Sequence, residues 1–516
     1  VGLGFESLRV YKKDFLIQEI LFIYLISFYI CGIIRLFCVS LQIMKQTHLR
    51  SYITFLFILV SATLLASNKS GGLISYPGGK CYMFRVTLKD KNGTPYSLDK
   101  PEKFLSKASL LRRERQGLKL DSTDLPVSPD YIQQIKKRGG KVVAVSKWNN
   151  SVLVRGNNRQ TLEDLKVLSF VKDSKLVFVS PDSIRPLSQR VRYNSELQSL
   201  DSTVHDYYGM GKGQIESLNG RKLHNLGFMG QGITIAVLDA GFMNVDKIAA
   251  FRNLNIKGTH NFVAGYDNDV YKEMDHGTKT LSTIAMNQPT VFVGTAPKAD
   301  FWLLRTEDYS TESPAEEDFW IAAVEFSDSV GVDVISSSLG YHGFDDKTMN
   351  YRYSDLNGRT AAISQAASRL ASKGMILVNS AGNDGMGTWK KINVPADAHD
   401  ILTVGAVTLD KVNAPFSSIG PTADGRIKPD VMAYGCPTNV VSGRGYIIPD
   451  NGTSFACPLI AGMVACLWQA CPNKSAKEII DIIRQSGNNC QSPDNIMGYG
   501  IPDFWSAYQS ATRYNQ

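Results

Sequence analysis

The chain has 516 residues, 43% of them hydrophobic and 20% charged, with a net charge of +8. That length exceeds one ordinary core, so two or more domains are expected, and the composition is that of a globular protein. The charge comes partly from short basic clusters, Arg112-Arg113-Glu114-Arg115 and Lys136-Lys137-Arg138, which read as solvated helix faces. No basic stripe is interleaved with aromatics, so no nucleic-acid partner is expected. No phosphate-cradling glycine loop and no Cys/His zinc spacing occurs, so no metal ligand set is read.

The chain begins at Val1, and an apolar stretch over about 20–39 is interrupted by Gly32 and Arg35. After Met44 come a basic lead (Lys45, His48, Arg50), an apolar run over 52–66 and polar Ser67-Asn68-Lys69-Ser70. Those are the three regions of a secretory signal peptide. Residues 44–67 are therefore read as a signal peptide and the protein as exported. Residues 1–43 are read as over-extended translation, with a membrane segment as the alternative.

Residues 68–180 read as a separate small α+β unit of ferredoxin-like type. Alternation over 82–88 predicts a strand, and Asn92-Gly93 a turn. Helical stretches are expected over 101–115 and from Ser128-Pro129 to about Lys137, the second ended by Gly139-Gly140. Residues 141–145 and 151–154 read as a hairpin, 161–168 as a short helix and 175–179 as a last strand. Residues 181–207 are polar and aperiodic, a linker with Arg185, Arg190 and Arg192 exposed.

Over 208–516 apolar runs alternate with helical patterns. Strands are expected at 233–238, 301–305, 332–337, 375–379 and 401–407, apolar on both faces as in a buried parallel sheet. Helices start at His276, near Arg359, at Thr453 and after Ser313-Pro314-Ala315-Glu316, a capping box with Pro at N1 that runs to Val330 before Gly331. The alternation predicts a doubly wound α/β domain with its site at the carboxyl ends of the strands.

The chemistry centres on Asn451-Gly452-Thr453-Ser454 and the small-residue apolar run that follows. Ser454 sits at a helix N-terminus, where free N–H groups favour an oxygen developing negative charge. Pro458 is placed in the first turn, where its missing N–H costs nothing. Asp239 ends the strand at 233–238 before Ala240-Gly241, and His276 opens a helix with Gly277-Thr278. A serine hydroxyl needs a base, and the base a partner that holds its tautomer. Asp, His and Ser in this order, with Gly-Thr-Ser rather than a G-x-S-x-G elbow, resemble the subtilisin-like serine peptidases, the subtilases.

The resemblance covers roughly 208–516. It implies a serine endopeptidase in which Ser454 attacks the peptide carbonyl, His276 shuttles the proton and Asp239 orients His276. Asn383, in Ala381-Gly382-Asn383-Asp384-Gly385, resembles the family's oxyanion-hole amide. Ser338-Leu339-Gly340 resembles its substrate-binding edge, where a peptide adds as an antiparallel strand. The family usually has Thr or Ser where Ala240 stands, so one hydrogen bond to Asp239 is expected to be missing. By position the 68–180 unit resembles the family's propeptide, an intramolecular inhibitor, with an accessory domain that stays attached as the alternative. Cys457 reads as a packing residue. No cofactor is needed for the chemistry; family members often bind structural Ca2+, and nothing in the sequence assigns its ligands. Protein or peptide substrates are implied. A non-catalytic binding protein on the same fold and a membrane-tethered processing peptidase are the rival readings.

Overall fold

The computed structural model describes residues 73–185, 190–194, 196–197 and 206–513. The expected signal peptide and the apolar stretch at 20–39 lie outside these residues. The chain divides into two units. The smaller comprises residues 6–75 and 183–186, and its described part is an antiparallel bridge in which Ile74 and Ile184 exchange backbone hydrogen bonds of 2.9 and 2.8 Å.

The larger unit begins with a four-stranded antiparallel sheet. Its strands are β1 (Tyr82–Leu88), β2 (Lys141–Ser146), β3 (Ser151–Gly156) and β4 (Val171–Val179), in the order β2-β3-β1-β4. With helices Lys107–Arg115 and Pro129–Lys137 between β1 and β2, and Gln160–Lys166 between β3 and β4, this is the ferredoxin-like arrangement. Phe84, Val86, Ile135, Val154 and Leu165 form its core. The helical stretch expected over 101–115 is split into a 3-10 turn (Pro101–Lys103) and a helix recapped by Ser106, whose side chain accepts from Ser109 N. β4 starts four residues earlier than its apolar run, because solvent-facing Lys172 and Asp173 mask the pattern.

The second part is built on a seven-stranded parallel sheet. In chain order come β5 (Thr234–Asp239), β6 (Asn255–Asn261), the two-residue pair β7 (Asn287–Gln288) and β8 (Phe292–Val293), β9 (Asp300–Arg305), β10 (Val334–Ser337), β11 (Ile376–Ser380), β12 (Leu402–Thr408) and β13 (Val431–Cys436). A hairpin of β14 (Thr438–Val441) and β15 (Ile447–Asp450) then leads into the helix Thr453–Ala470. The large sheet runs β13-β12-β11-β10-β5-β9-β6, so β5 lies between β10 and β9 and the winding reverses beside it. In such a sheet the ligand crevice opens at the carboxyl ends there. Register sharpens the location: Leu238, Ser337 and Asn379 share one row, so Asp239 and Ser338 leave the sheet side by side.

The sheet is covered on both faces. On one lies the Thr453–Ala470 helix, buried from Thr453 to Trp468. It is apolar and long enough to cross a membrane, yet 89% buried inside this fold, as a core helix should be. On the other lies Ala315–Val330, which Gly331 ends in the left-handed conformation (φ 92°). Only half of its expected capping box forms: Glu316 Oε2 accepts from Ser313 N at 3.0 Å, and no cap side chain reciprocates. The helix expected near Arg359 is short, Ala362–Ala367.

The exposed face of Ala315–Val330 would be acidic, and the first module covers it. Arg85 Nε donates to Asp318 at 2.8 and 2.9 Å, and its Nη2 reaches Glu317 at 3.1 Å. Asp328 receives Arg112, Arg113 and Lys147 at 2.6–2.9 Å. Glu325 accepts from Ser146 Oγ, Lys147 N and Trp148 N. Arg112 and Arg113 are thus buried rather than solvated, because carboxylates of a distant helix take their charge. In the linker, Arg190 is half-buried in an ion pair with Asp246 at 2.9 Å, while Arg185 and Arg192 are exposed.

Candidate active site

Asp239 is buried at the end of β5 and His276 is the first residue of the His276–Ala285 helix. Gly277 lets that helix start hard against the β5 turn: a Cβ there would meet the Gly241 carbonyl at 2.4 Å, so only glycine fits. His276 Nδ1 lies 2.8 Å from Asp239 Oδ1, and Nε2 has no hydrogen-bond partner. Ala240 N donates to Asp239 Oδ1 at 2.8 Å. Ala240 has no side chain to supply a further hydrogen bond; Thr280 Oγ1, one helical turn past His276, lies 3.1 Å from Asp239 Oδ2 and equally 3.1 Å from the Gly277 carbonyl, so its one proton is shared between them. Burial opposes the imidazolium, but the charge and hydrogen bond of Asp239 outweigh it and raise the His276 pKa above its ordinary value.

Ser454 is the second residue of its helix and buried. Its Oγ is turned to the Ser338 carbonyl, at 3.4 Å, rather than bonded to His276. Pro458 is not in the first turn but inside the helix. The N–H it lacks would have paired with the Ser454 carbonyl four residues back. That carbonyl accepts instead from Ser338 Oγ at 2.9 Å. The substrate-edge candidate and the helix of Ser454 are therefore tied at one residue each.

Asn383 follows β11. Its Oδ1 accepts from Thr453 N at 3.0 Å and Thr453 Oγ1 at 2.9 Å, which leaves Nδ2 as a donor on the Gly452 side. Leu339 is buried with its carbonyl taken by Asn379 Nδ2 at 3.2 Å. Gly340 lies against Asn393 and Val394: a Cβ there would be 3.1 Å from both. Tyr341 then pairs with Val394 through two backbone hydrogen bonds.

Other groups at the site carry no sequence motif. Glu307 is buried after β9 and accepts from Tyr341 Oη; burial above all, then nearby Asp239, raises its pKa, against the Tyr341 hydrogen bond and His276. Cys457 is a packing residue: its Sγ donates to the Val378 carbonyl at 3.2 Å, and burial pushes the thiol up to about 12. The described cysteines of this part, Cys436, Cys457, Cys466, Cys471 and Cys490, are all free thiols. Among the described residues no three His, Cys, Asp or Glu side chains gather as metal ligands.

A carboxylate, an imidazole and a serine hydroxyl around the carboxyl edge of a sheet are the components of a serine hydrolase. The comparisons give the family. Residues 230–500, more than half of the chain, match the subtilase family (peptidase S8) model, and residues 83–196 match a peptidase S8 propeptide domain of Bacteroidota. Subtilisin NAT of Bacillus subtilis subsp. natto is 27% identical over 349 residues, 67% of this chain and 78% of its own length. Subtilisin of Bacillus pumilus is 29% identical over 269 residues, 52% of this chain and 88% of its own length. The chain belongs to the subtilase family of serine endopeptidases and carries a propeptide domain of that family.

Proposed function

We propose that the protein is an exported, self-processing endopeptidase with Asp239, His276 and Ser454 as its triad and Asn383 in its oxyanion hole. The observation that supports this most is the His276–Asp239 contact of 2.8 Å with Nε2 left free to receive a proton. In the reaction, Ser454 Oγ turns from the Ser338 carbonyl to His276 Nε2, gives up its proton and attacks the scissile carbonyl carbon. Asp239 stabilises the imidazolium. The Ser454 N–H and Asn383 Nδ2 donate to the oxyanion, which they bind better than the planar carbonyl. His276 then protonates the leaving amine, and water releases the acyl group by the same steps in reverse. Substrate lies along Ser338-Leu339-Gly340 in extended form.

The first module acts as an intramolecular inhibitor. The chain leaving β4 at Val179 enters the polar segment 181–207, and the first bond cut is the enzyme's own, somewhere within 180–207. A tethered substrate has a high effective concentration, so the cut is intramolecular. The 44–67 signal-peptide pattern is the support for export. Wild type and Ser454→Ala, expressed side by side and followed by intact mass, test the reading. Ser454→Ala should accumulate as one uncut precursor without turnover, while wild type yields two fragments at a rate independent of dilution. Equal processing of both would assign maturation to another protease, and cleavage of a peptide substrate by Ser454→Ala at the wild-type rate would remove the triad.

A further inference from the structure

His276 and Ser454 stand on two helices that pack directly against each other, and they make no hydrogen bond to each other; a polar link supplements that packing. The link lies beside them. Lys279, three residues past His276, sends Nζ to Asp450 Oδ2 at 3.0 Å; the lysine side chain is 3% exposed and the aspartate 20%. Asp450 closes β15, four residues before Ser454, and its Oδ1 accepts from Asn451 N at 2.9 Å. That second bond locks the carboxylate to the segment leading into the Ser454 helix.

Two further contacts run along the same helix face. Asp275 Oδ2 accepts from Gly443 N at 3.0 Å, and Ser282 Oγ accepts from Val441 N at 2.8 Å. Residues 275, 279 and 282 are spaced as one face of a helix, and each grips the β14–β15 hairpin. Asp275 Oδ1 also lies 3.8 Å from Lys279 Nζ. Of the three grips, Lys279–Asp450 is the one between side chains of opposite charge, and the one nearest Ser454 in sequence.

We propose that Lys279 and Asp450 are positioning residues: their ion pair fixes the separation of the imidazole and the serine hydroxyl. This rests on the triad reading above. Among the described residues, the charged groups acting on His276 include Asp239 from β5, Glu307 from the segment after β9, Asp450 from β15 and Lys279 on its own helix, with Asp275 next to it in sequence and 3.8 Å from Lys279; the Ser454 helix presents the Phe455 ring, its centroid 5.6 Å from that of the imidazole. Lys279 disfavours the imidazolium and Asp450 favours it. With both present their influences oppose each other; with one removed, the balance shifts in a known direction.

The test uses the full chain, allowed to process itself, with kcat and KM on a chromogenic peptide across pH. Lys279→Met and Asp450→Asn should each lower kcat about tenfold with KM changed little, since a small misplacement of reacting groups is costly. The acid limb of kcat/KM, which reports the free base, should move to higher pH in Lys279→Met and to lower pH in Asp450→Asn. The double variant should return the limb towards wild type and lose less than the two single losses multiplied together. Lys279→Arg should restore most of the activity. If Lys279→Met does not fold, Asp450→Asn carries the test alone, its side chain being partly exposed. Acid limbs that coincide with wild type overturn the proposal, as does a loss confined to thermal stability. A wild type that turns over nothing would remove the serine-peptidase reading; an active wild type with unmoved limbs in the variants removes only the bridge.

Discussion

Two regions of this molecule are packed by opposite means. Around the Thr453–Ala470 helix the contacts are apolar: Val237, Val378, Leu402, Val404, Ile460 and Val464 are all fully or almost fully buried. Between the first module and the Ala315–Val330 helix the centre of the contact is ionic, with Arg85, Arg112, Arg113 and Lys147 buried against Glu317, Asp318 and Asp328. Apolar burial is non-directional and holds a core together wherever the parts fit. A buried ion pair contributes little net stability after desolvation, yet removing one partner is severe. The first kind of packing suits a scaffold that never opens. The second suits the proposed maturation, in which the first module recognises one partner and later parts from it.

The largest expected effect attacks that interface. Asp328→Ala should leave three buried cations without their shared carboxylate and weaken the precursor by about 3–5 kcal/mol. Urea unfolding of the uncut Ser454→Ala background would report it, while kcat of the matured Asp328→Ala enzyme should match wild type. A loss of kcat would mean that the interface also supports the site. Asn383→Ala attacks the other region. Its kcat should fall about 10²–10³-fold with KM nearly constant, the size of effect found for such a donor in subtilisin, and precursor stability should not follow. A change confined to KM would make Asn383 a turn residue only.

The pH dependence separates the regions with a smaller effect. On the proposed triad His276 is the base and must be unprotonated; its pKa is raised, so kcat/KM should fall as pH drops through a value above the ordinary histidine value of about 6.5. Asp328 is shifted the other way: burial would raise its pKa, but Lys147, Arg112 and Arg113 hold it below the carboxylate range. Its contribution to holding the module is present above the unfolded aspartate pKa and is lost only as pH falls through the lowered one. A pH–rate profile of the matured enzyme checks the first statement and an acid titration of the uncut precursor the second. The smallest effect is a null. Lys80 and Asp182 pair at 2.9 Å with side chains 59% and 86% exposed, so Asp182→Asn should leave precursor unfolding unchanged.

The same contrast governs what the residues reveal before folding. The five apolar runs become β5, β9, β10, β11 and β12 within two residues, because strands buried on both faces need continuous hydrophobicity. Edge strand β6 reads Asn-Ile-Lys-Gly-Thr-His-Asn and carries no such signal. β13 directly follows Lys428-Pro429-Asp430 and is mostly buried, yet no strand is expected there from the sequence. Asp239, His276, Asn383 and Ser454 stand out through short motifs at element ends. Thr280 does not: its role depends on helical phase and on where Asp239 arrives. Lys279 and Asp450, 171 residues apart, meet only once the hairpin is seated. Arg112 and Arg113 misled for the same reason, since the charge that buries them belongs to residue 328.

Pro458 carries a consequence for the order of assembly. Because its ring removes the N–H that would complete the turn behind Ser454, that turn is not self-sufficient, and the Ser338 hydroxyl supplies the missing donor. A helix able to close every rung by itself would present its serine as soon as it formed, whether or not the rest of the cleft existed. Here the backbone turn at Ser454 is completed only when the strand end that carries Ser338 has docked. On the roles proposed above, the proline ties the nucleophile's turn to the substrate edge through one hydrogen bond, so the two are completed together.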